Sequence, residues 1–259
     1  MRALNIAATG MLAQETNVAV ISNNIANMRT TGYKRQRADF ADLYYQNLTR
    51  VGSQTSDSGT LVPAGVQLGS GVRIVATPRV MSQGELERTD NDTDIAIRGE
   101  GYLRIELPNG QVGYTRDGSL EIAADGTLVT QEGFAVVPRI VVPADARDIA
   151  VSEQGAVQAR VGDTSQVLGQ IQLTTFVNKA GLEAIGDNLF LETEASGAGR
   201  AGNPGDPSYG TVLQFHLEAA NVVAVSELSN LIAAQRAYEM NSRIIRAADE
   251  MLSATSNMT

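Results

Sequence analysis

The sequence has no cysteine, no tryptophan and one histidine, and aromatic residues make up only 5% of its 259 positions. Without cysteine there is no disulfide, no thiolate nucleophile and no zinc–thiolate site. This suits either the cytosol or an oxidising compartment that the chain reaches unfolded. The lone histidine, His216, sits in Leu213-Gln214-Phe215-His216-Leu217 and reads as a packing or surface residue, since a two-histidine metal site has no second member. No window approaches the roughly 20 apolar residues of a membrane-spanning helix. Met1–Gly10 carries one positive charge and no long apolar run, so no cleaved secretory signal is expected. Nor is there a basic block. The 20 basic residues are outnumbered by 29 acidic ones, giving a formal charge of −9, which repels a phosphate backbone.

What is present is enough apolar content, 43%, to bury a core, and two long periodic segments at opposite ends. In the first, about residues 2–29, Leu4, Met11, Val18 and Ile25 recur every seven residues. Ala7, Ile21 and Met28 follow three later, and Gln14 is a single polar breach. That is an a/d seam on a helix of about 40 Å. Gly32, after Thr30-Thr31, is a helix stop. In the last segment, about 219–256, Leu231, Tyr238, Ile245 and Leu252 repeat at seven, and Val225, Leu228, Ile232, Ile244 and Met251 widen the stripe. The ordinary reading of either stripe alone is a core helix of a globular domain. The shared heptad period at both ends favours a pair of helices that buries its seam in an assembly.

Between them the pattern is β. Residues 95–138 alternate short apolar runs with turn signals at Asn109-Gly110, Asp117-Gly118 and Asp125-Gly126. Residues 148–191 do likewise. Residues 49–72 and 195–210 lack periodicity, are rich in small residues, and read as linkers or extended arms.

Motif-like strings do not build a catalytic site. Gly197-Ala198-Gly199-Arg200-Ala201-Gly202 spells a dinucleotide fingerprint, but Asn203-Pro204-Gly205-Asp206-Pro207 follows it where a helix is required. Asp90-Asn91-Asp92-Thr93-Asp94 opens like a calcium loop, yet Ile95 stands where glycine is needed and Gly101 where glutamate is needed. Capped turn carboxylates are the better reading, with a weak surface cation site as the alternative.

Ser22-Asn23-Asn24-Ile25-Ala26-Asn27 with Thr31-Gly32-Tyr33-Lys34, and Asn221-Val222 with Gln235-Arg236-Ala237-Tyr238-Glu239-Met240-Asn241-Ser242 and Asp249-Glu250-Met251-Leu252, resemble the two terminal signatures of the bacterial flagellar axial proteins. Gln67-Leu68-Gly69-Ser70-Gly71-Val72, Ser82-Gln83-Gly84, Ile95-Ala96-Ile97-Arg98-Gly99-Glu100-Gly101-Tyr102, Tyr114-Thr115-Arg116-Asp117-Gly118 and Gly181 to Leu189 are similar to the basal-body rod family, and most of all to its distal member. The likeness covers nearly the whole chain. It departs from the family's pattern at Ala219-Ala220-Asn221, where serine usually precedes Asn-Val, and at Phe215-His216, which replaces a glycine-containing approach.

The resemblance implies a structural subunit, not an enzyme, with no cofactor. Such subunits leave the cytosol unfolded through the flagellar type III export apparatus. They stack helically into a hollow rod across the periplasm, which transmits torque from motor to hook. Expected partners are further copies of the chain, proximal rod proteins, the hook protein, and the P-ring and L-ring proteins. Nucleic acid and direct membrane insertion are not expected. A proximal rod or short hook-type protein is the alternative, and a cell-wall-binding or cell-wall-cleaving β-domain protein a remote one.

The expected fold is α+β, with long N- and C-terminal helices pairing as a coiled coil, a β-rich middle domain and an extended arm. Its expected divisions are 1–32 (inner helix), 33–75 (arm), 76–215 (outer β domain) and 216–259 (inner helix). The assembly interface is expected at Leu4, Met11, Val18, Ile21, Asn23, Asn24, Ile25 and Asn27 on the first helix. On the second it is expected at Leu228, Leu231, Gln235, Tyr238, Asn241, Ile245 and Leu252. Leu4, Met11, Val18 and Ile25 would face Leu231, Tyr238, Ile245 and Leu252. The three asparagines are expected either to bond to neighbouring helices and set register or to form a plain polar helix end. The 49–72 arm is expected to lie along neighbouring subunits and stiffen the tube.

Overall fold

A computed structural model describes residues 2–49, 64–162 and 164–257, which fall into two compact units. The first unit draws on the described parts of Met1–Ile25, Gln36–Pro78 and Ala224–Thr259. It holds the two α-helices found among the described residues, α1 (Arg2–Ala26) and α2 (Ala224–Asn257). Neither contains proline, and α2 has no glycine either, so the intrahelical hydrogen bonds run unbroken. Glu227 lies in the first turn of α2, where the helix dipole favours an anion. Neither helix is long and apolar enough to cross a membrane.

Strands Asp39–Asp42 and Tyr45–Thr49 run antiparallel to Val72–Ala76 and Val66–Gly69 respectively, so the flanks of the expected arm form a β-ribbon. The tip of that arm, 50–63, lies outside the described residues. The ribbon leans on α1. The Val72 N–H donates to Thr9 Oγ1 at 3.4 Å, and Gly71 lies so close that a Cβ would stand 2.2 Å from that oxygen.

This arrangement corrects one expectation. The helices flank a β-rich middle, but they do not form a coiled coil. α2 buries Glu227, Ala234 and Ala248, while Leu228, Tyr238 and Leu252 of the expected seam are exposed. Where the helices touch, the contacts are polar or small. Asn24 Nδ2 donates to Glu227 Oε2 at 3.2 Å, and a Cβ on Gly10 would lie 2.8 Å from Asn241 Nδ2. Apolar knobs in four-residue holes, which define a coiled coil, are not what these residues build. The physical reason is that α1 has a second neighbour, since the ribbon occupies its side at Thr9.

The second unit comprises Ala26–Arg35 and Arg79–Val223. Its main sheet orders strands Glu183–Gly186, Leu189–Leu191, Val112–Thr115, Tyr102–Glu106, Leu173–Thr175 and Arg200–Gly202, with Val136–Val137 also paired to Tyr102–Glu106. A separate three-stranded sheet joins Ala146–Val151, Ala156–Val161 and Thr164–Gln170. The core between them is aliphatic, including Ile95, Ile97, Leu103, Leu173 and Val212. An aromatic group beside it packs edge to face, with Tyr114 and Phe176 centroids 4.8 Å apart and Tyr102 5.9 Å from Phe176. Two short ladders bring the end of the unit back to its beginning. Thr211–Gln214 pairs with Ile95–Arg98, and His216–Glu218 pairs with Leu86–Arg88.

Candidate assembly interface

The interface residues expected from the sequence divide by burial. On α1, Ile21 and Asn24 are buried, Leu4, Met11, Val18, Ile25 and Asn27 are half-buried, and Asn23 is exposed. On α2, Leu231, Asn241 and Ile245 are half-buried, while Leu228, Gln235, Tyr238 and Leu252 are exposed. Asn24 is committed within the chain. Its Oδ1 accepts from the Gln36 N–H at 2.9 Å and its Nδ2 donates to the Gln36 carbonyl at 2.8 Å. The side-chain amide thus pairs with a backbone amide as a neighbouring strand would. Asn27 closes the turn after the helix by accepting from Thr30 Oγ1 at 3.2 Å.

α2 carries apolar side chains on two sides. At 100° per residue, the buried or half-buried positions Glu227, Leu231, Ala234, Asn241, Ile245 and Ala248 share one face. Val225, Leu228, Ile232 and Met240 lie on the opposite side, with Val225 75%, Leu228 55% and Met240 59% exposed, and Ile244 lies on the flank between the two. Arg236, Glu239, Arg243, Arg246 and Glu250 lie among them. An exposed stripe of large apolar residues is a surface that burial against a partner would stabilise.

The second unit contains a cluster that the sequence reading missed. Glu218 has 0% exposure. Its Oε1 is ion-paired with Lys34 Nζ and accepts from the Gly84 N–H at 2.9 Å. Its Oε2 accepts from Arg116 Nη1 at 3.0 Å. Each cation also reaches a carbonyl, while Arg116 Nε is buried without a hydrogen-bond partner among the described residues. Lys34 Nζ donates to Ser82 O at 2.9 Å, and Arg116 Nη2 donates to Gly99 O at 2.6 Å. Arg116 also lies over the Tyr102 ring, 5.5 Å from its centroid.

Burial holds the Lys34 ammonium below its ordinary value despite the attraction of Glu218. Burial likewise pushes the Tyr102 phenol up to about 12. Asn221 adds a polar staple beside the cluster. Its Oδ1 accepts from the Arg35 N–H at 2.7 Å, and its Nδ2 donates to Val80 O at 2.7 Å and Ser82 O at 3.0 Å. Lys34, Arg116 and Asn221 all sit in runs that the sequence singled out. The only sign of Glu218 was a charge closing the apolar run from Val212.

The other candidate chemistry dissolves into turns. Asn91 donates to Asp94 Oδ1 and accepts from Thr93 Oγ1, both at 3.0 Å, which closes the 90–94 segment on itself. Nδ1 of His216 lies 2.7 Å from the Gln214 carbonyl. Among the described residues no three acidic or histidine side chains converge as a metal site would require.

Comparison with known proteins fits this partition. Residues 4–34 match the flagella basal body rod protein family, residues 96–159 the flagellar hook protein FlgE/F/G D1 domain, and residues 213–258 the flagellar basal body rod FlgEFG protein C-terminal region. The flagellar basal-body rod protein FlgG of Caulobacter vibrioides is 53% identical over 260 residues, covering 100% of this chain and 99% of its own length. The chain belongs to the flagellar basal-body rod protein family. It is a structural rod subunit of the basal body. The Agrobacterium fabrum rod protein of the same name is 50% identical over 99% of this chain and 98% of its own, and that of Bacillus subtilis 34% identical over 100% and 99%. The two terminal matches overlap both helices and include Lys34 and Glu218, and the middle match includes Arg116, so the ion cluster draws one residue from each matched segment.

Proposed function

We propose that this rod-family subunit forms the distal part of the rod, stacking helically in many copies into a hollow shaft that carries torque from motor to hook. The observation that most supports self-assembly is the outer face of α2, where large apolar side chains stand exposed opposite the face the chain uses for itself. Burying such a stripe contributes roughly 25 cal/mol per Å² removed from water. The exposed residues of the β-ribbon, including Phe40, Tyr44 and Leu48, supply a second apolar surface for neighbouring copies. The proposed neighbours beyond the chain itself are proximal rod proteins below, the hook protein above, and the P-ring and L-ring proteins around. The proposed route is the flagellar type III apparatus, without a cleaved signal, and the proposed site is the periplasmic span of the basal body.

Stoichiometry tests the distal assignment. Quantitative mass spectrometry of isolated hook–basal bodies should find this chain in several-fold excess over each proximal rod protein. Parity with them would overturn the distal placement while leaving the family untouched.

A further inference from the structure

The chain passes through the second unit at Ala26–Arg35, re-enters it at Arg79 and leaves it through 216–223. The leaving segment is held by a ladder of only three pairs, His216 to Arg88, Leu217 to Glu87 and Glu218 to Leu86. A longer ladder precedes it, Thr211–Gln214 on Ile95–Arg98, but the two are separated by Phe215 at φ +59. That is a left-handed conformation which a bulky residue adopts only under constraint. Such an irregularity decouples the strand beyond it from the register before it.

Alternation of side chains does not resolve the remaining ambiguity. A one-residue slip would turn Leu217 onto the inner face and Glu218 outward. A two-residue slip keeps the same face inward and places His216 or Ala220 where Glu218 stands. The carboxylate distinguishes these registers, because it alone matches Lys34, Arg116 and the Gly84 N–H together, and the bonds of Asn221 to Arg35, Val80 and Ser82 favour the same register from the segment beyond.

We propose that Glu218, Lys34 and Arg116 act as a register lock that fixes which residue leaves the β unit. In either two-residue slip, two cations remain buried without an acid, a costly state that the native register avoids. The lock therefore sets where the ladder ends and how many residues follow it within 219–223. A two-residue slip would shift that end along the strand by roughly 7 Å. The charges supply specificity here, as a buried polar residue does when it selects the register of paired helices.

The absence of cysteine gives a clean background for a direct reading of register. The pair Arg88→Cys/His216→Cys reports the native register. It is a non-hydrogen-bonded pair, because the bonds from Thr89 N–H to Phe215 O and from Ala219 N–H to Glu85 O flank it on alternate positions. The pair Leu86→Cys/His216→Cys reports the slipped register. In the native ladder these residues are diagonal neighbours about 7–8 Å apart, too far for a disulfide. Each pair is placed in the wild-type chain, in Glu218→Gln, and in the triple variant Lys34→Met/Arg116→Met/Glu218→Met, and oxidised under native conditions. Melting and circular dichroism monitor the fold.

The wild-type background should give the native disulfide with the slipped one at background level. Both variants should raise the slipped product about tenfold or more, and the triple variant should remain folded while doing so. A folded triple variant that keeps the native disulfide alone would overturn the lock. So would a triple variant that does not fold, because the charges would then serve net stability and not register.

Discussion

Glu218 is enclosed on both sides by cations that come from distant parts of the chain, Lys34 and Arg116, and the energetics of the second unit follow from that enclosure. Removing one partner of a buried ionic group costs more than the group contributes, since the remaining charges stay buried. Glu218→Ala should therefore lower stability by about 3–5 kcal/mol, read from urea unfolding with the m-value unchanged. Gly84 shows the same tightness in the backbone. A Cβ there would lie 1.9 Å from the Ala219 carbonyl oxygen, so Gly84→Ala should displace the 216–221 segment and lower the melting temperature sharply.

Tyr102 gives a pH signature. Its phenol titrates near 10.0 in the unfolded chain and near 12 when buried, so the folded state keeps its proton longer. The stability this contributes is complete below pH 10 and is lost as the pH rises from 10 to 12. Tyr102→Phe should flatten that part of the stability curve, and phenolate absorbance should lose its latest-titrating component in the variant, while Tyr45 and Tyr114, also raised, still titrate late. The sequence made Lys34 and Arg116 visible as parts of recognisable runs. It left Glu218 obscure, because a charge at the end of a strand is ordinarily a solvated one. Only the return of 216–218 to 86–88 makes it internal.

At the scale of elements, the seven-residue repeats correctly announced helices at both ends, and the absence of proline allowed their length. A repeat states a period and a face, but it does not name the partner. α1 turned out to share its surroundings between the β-ribbon and α2, with Asn24 reaching both Gln36 and Glu227. The coiled-coil pairing read from Leu4, Met11, Val18 and Ile25 against Leu231, Tyr238, Ile245 and Leu252 failed for that reason. The ribbon itself was hidden because 49–72 reads as a small-residue linker. Its pairing joins residues well apart in sequence, from Thr49 with Val66 to Tyr45 with Gly69, which no local pattern reports.

Asn24→Ala should cost the chain about 1–3 kcal/mol, because it strands the half-buried Gln36 backbone N–H and carbonyl. Chemical denaturation of the monomer checks this. The outer face of α2 should behave in the opposite way. Ile232→Asp and Met240→Asp should leave the monomer's stability within about 0.5 kcal/mol, as surface substitutions do, because neither side chain is buried by the chain itself.

For the molecule as a whole, composition, terminal signatures and fold agree on a structural part. Its net charge of −9, its freedom from cysteine and its two helical ends were legible from the start. The way Lys34, Arg116 and Glu218 meet in a buried ion cluster within the second unit was not. The central claim is that the exposed face of α2 is completed by other copies of the chain. Electron microscopy of the purified full-length chain, raised in concentration, tests it most directly when the wild type is compared with the Ile232→Asp/Met240→Asp variant. Helical rods from the wild type, with α2 lining them through Leu228, Ile232 and Met240, and none from the equally stable variant, are the expected result. Rods of the same form and at the same concentration from both chains would contradict it.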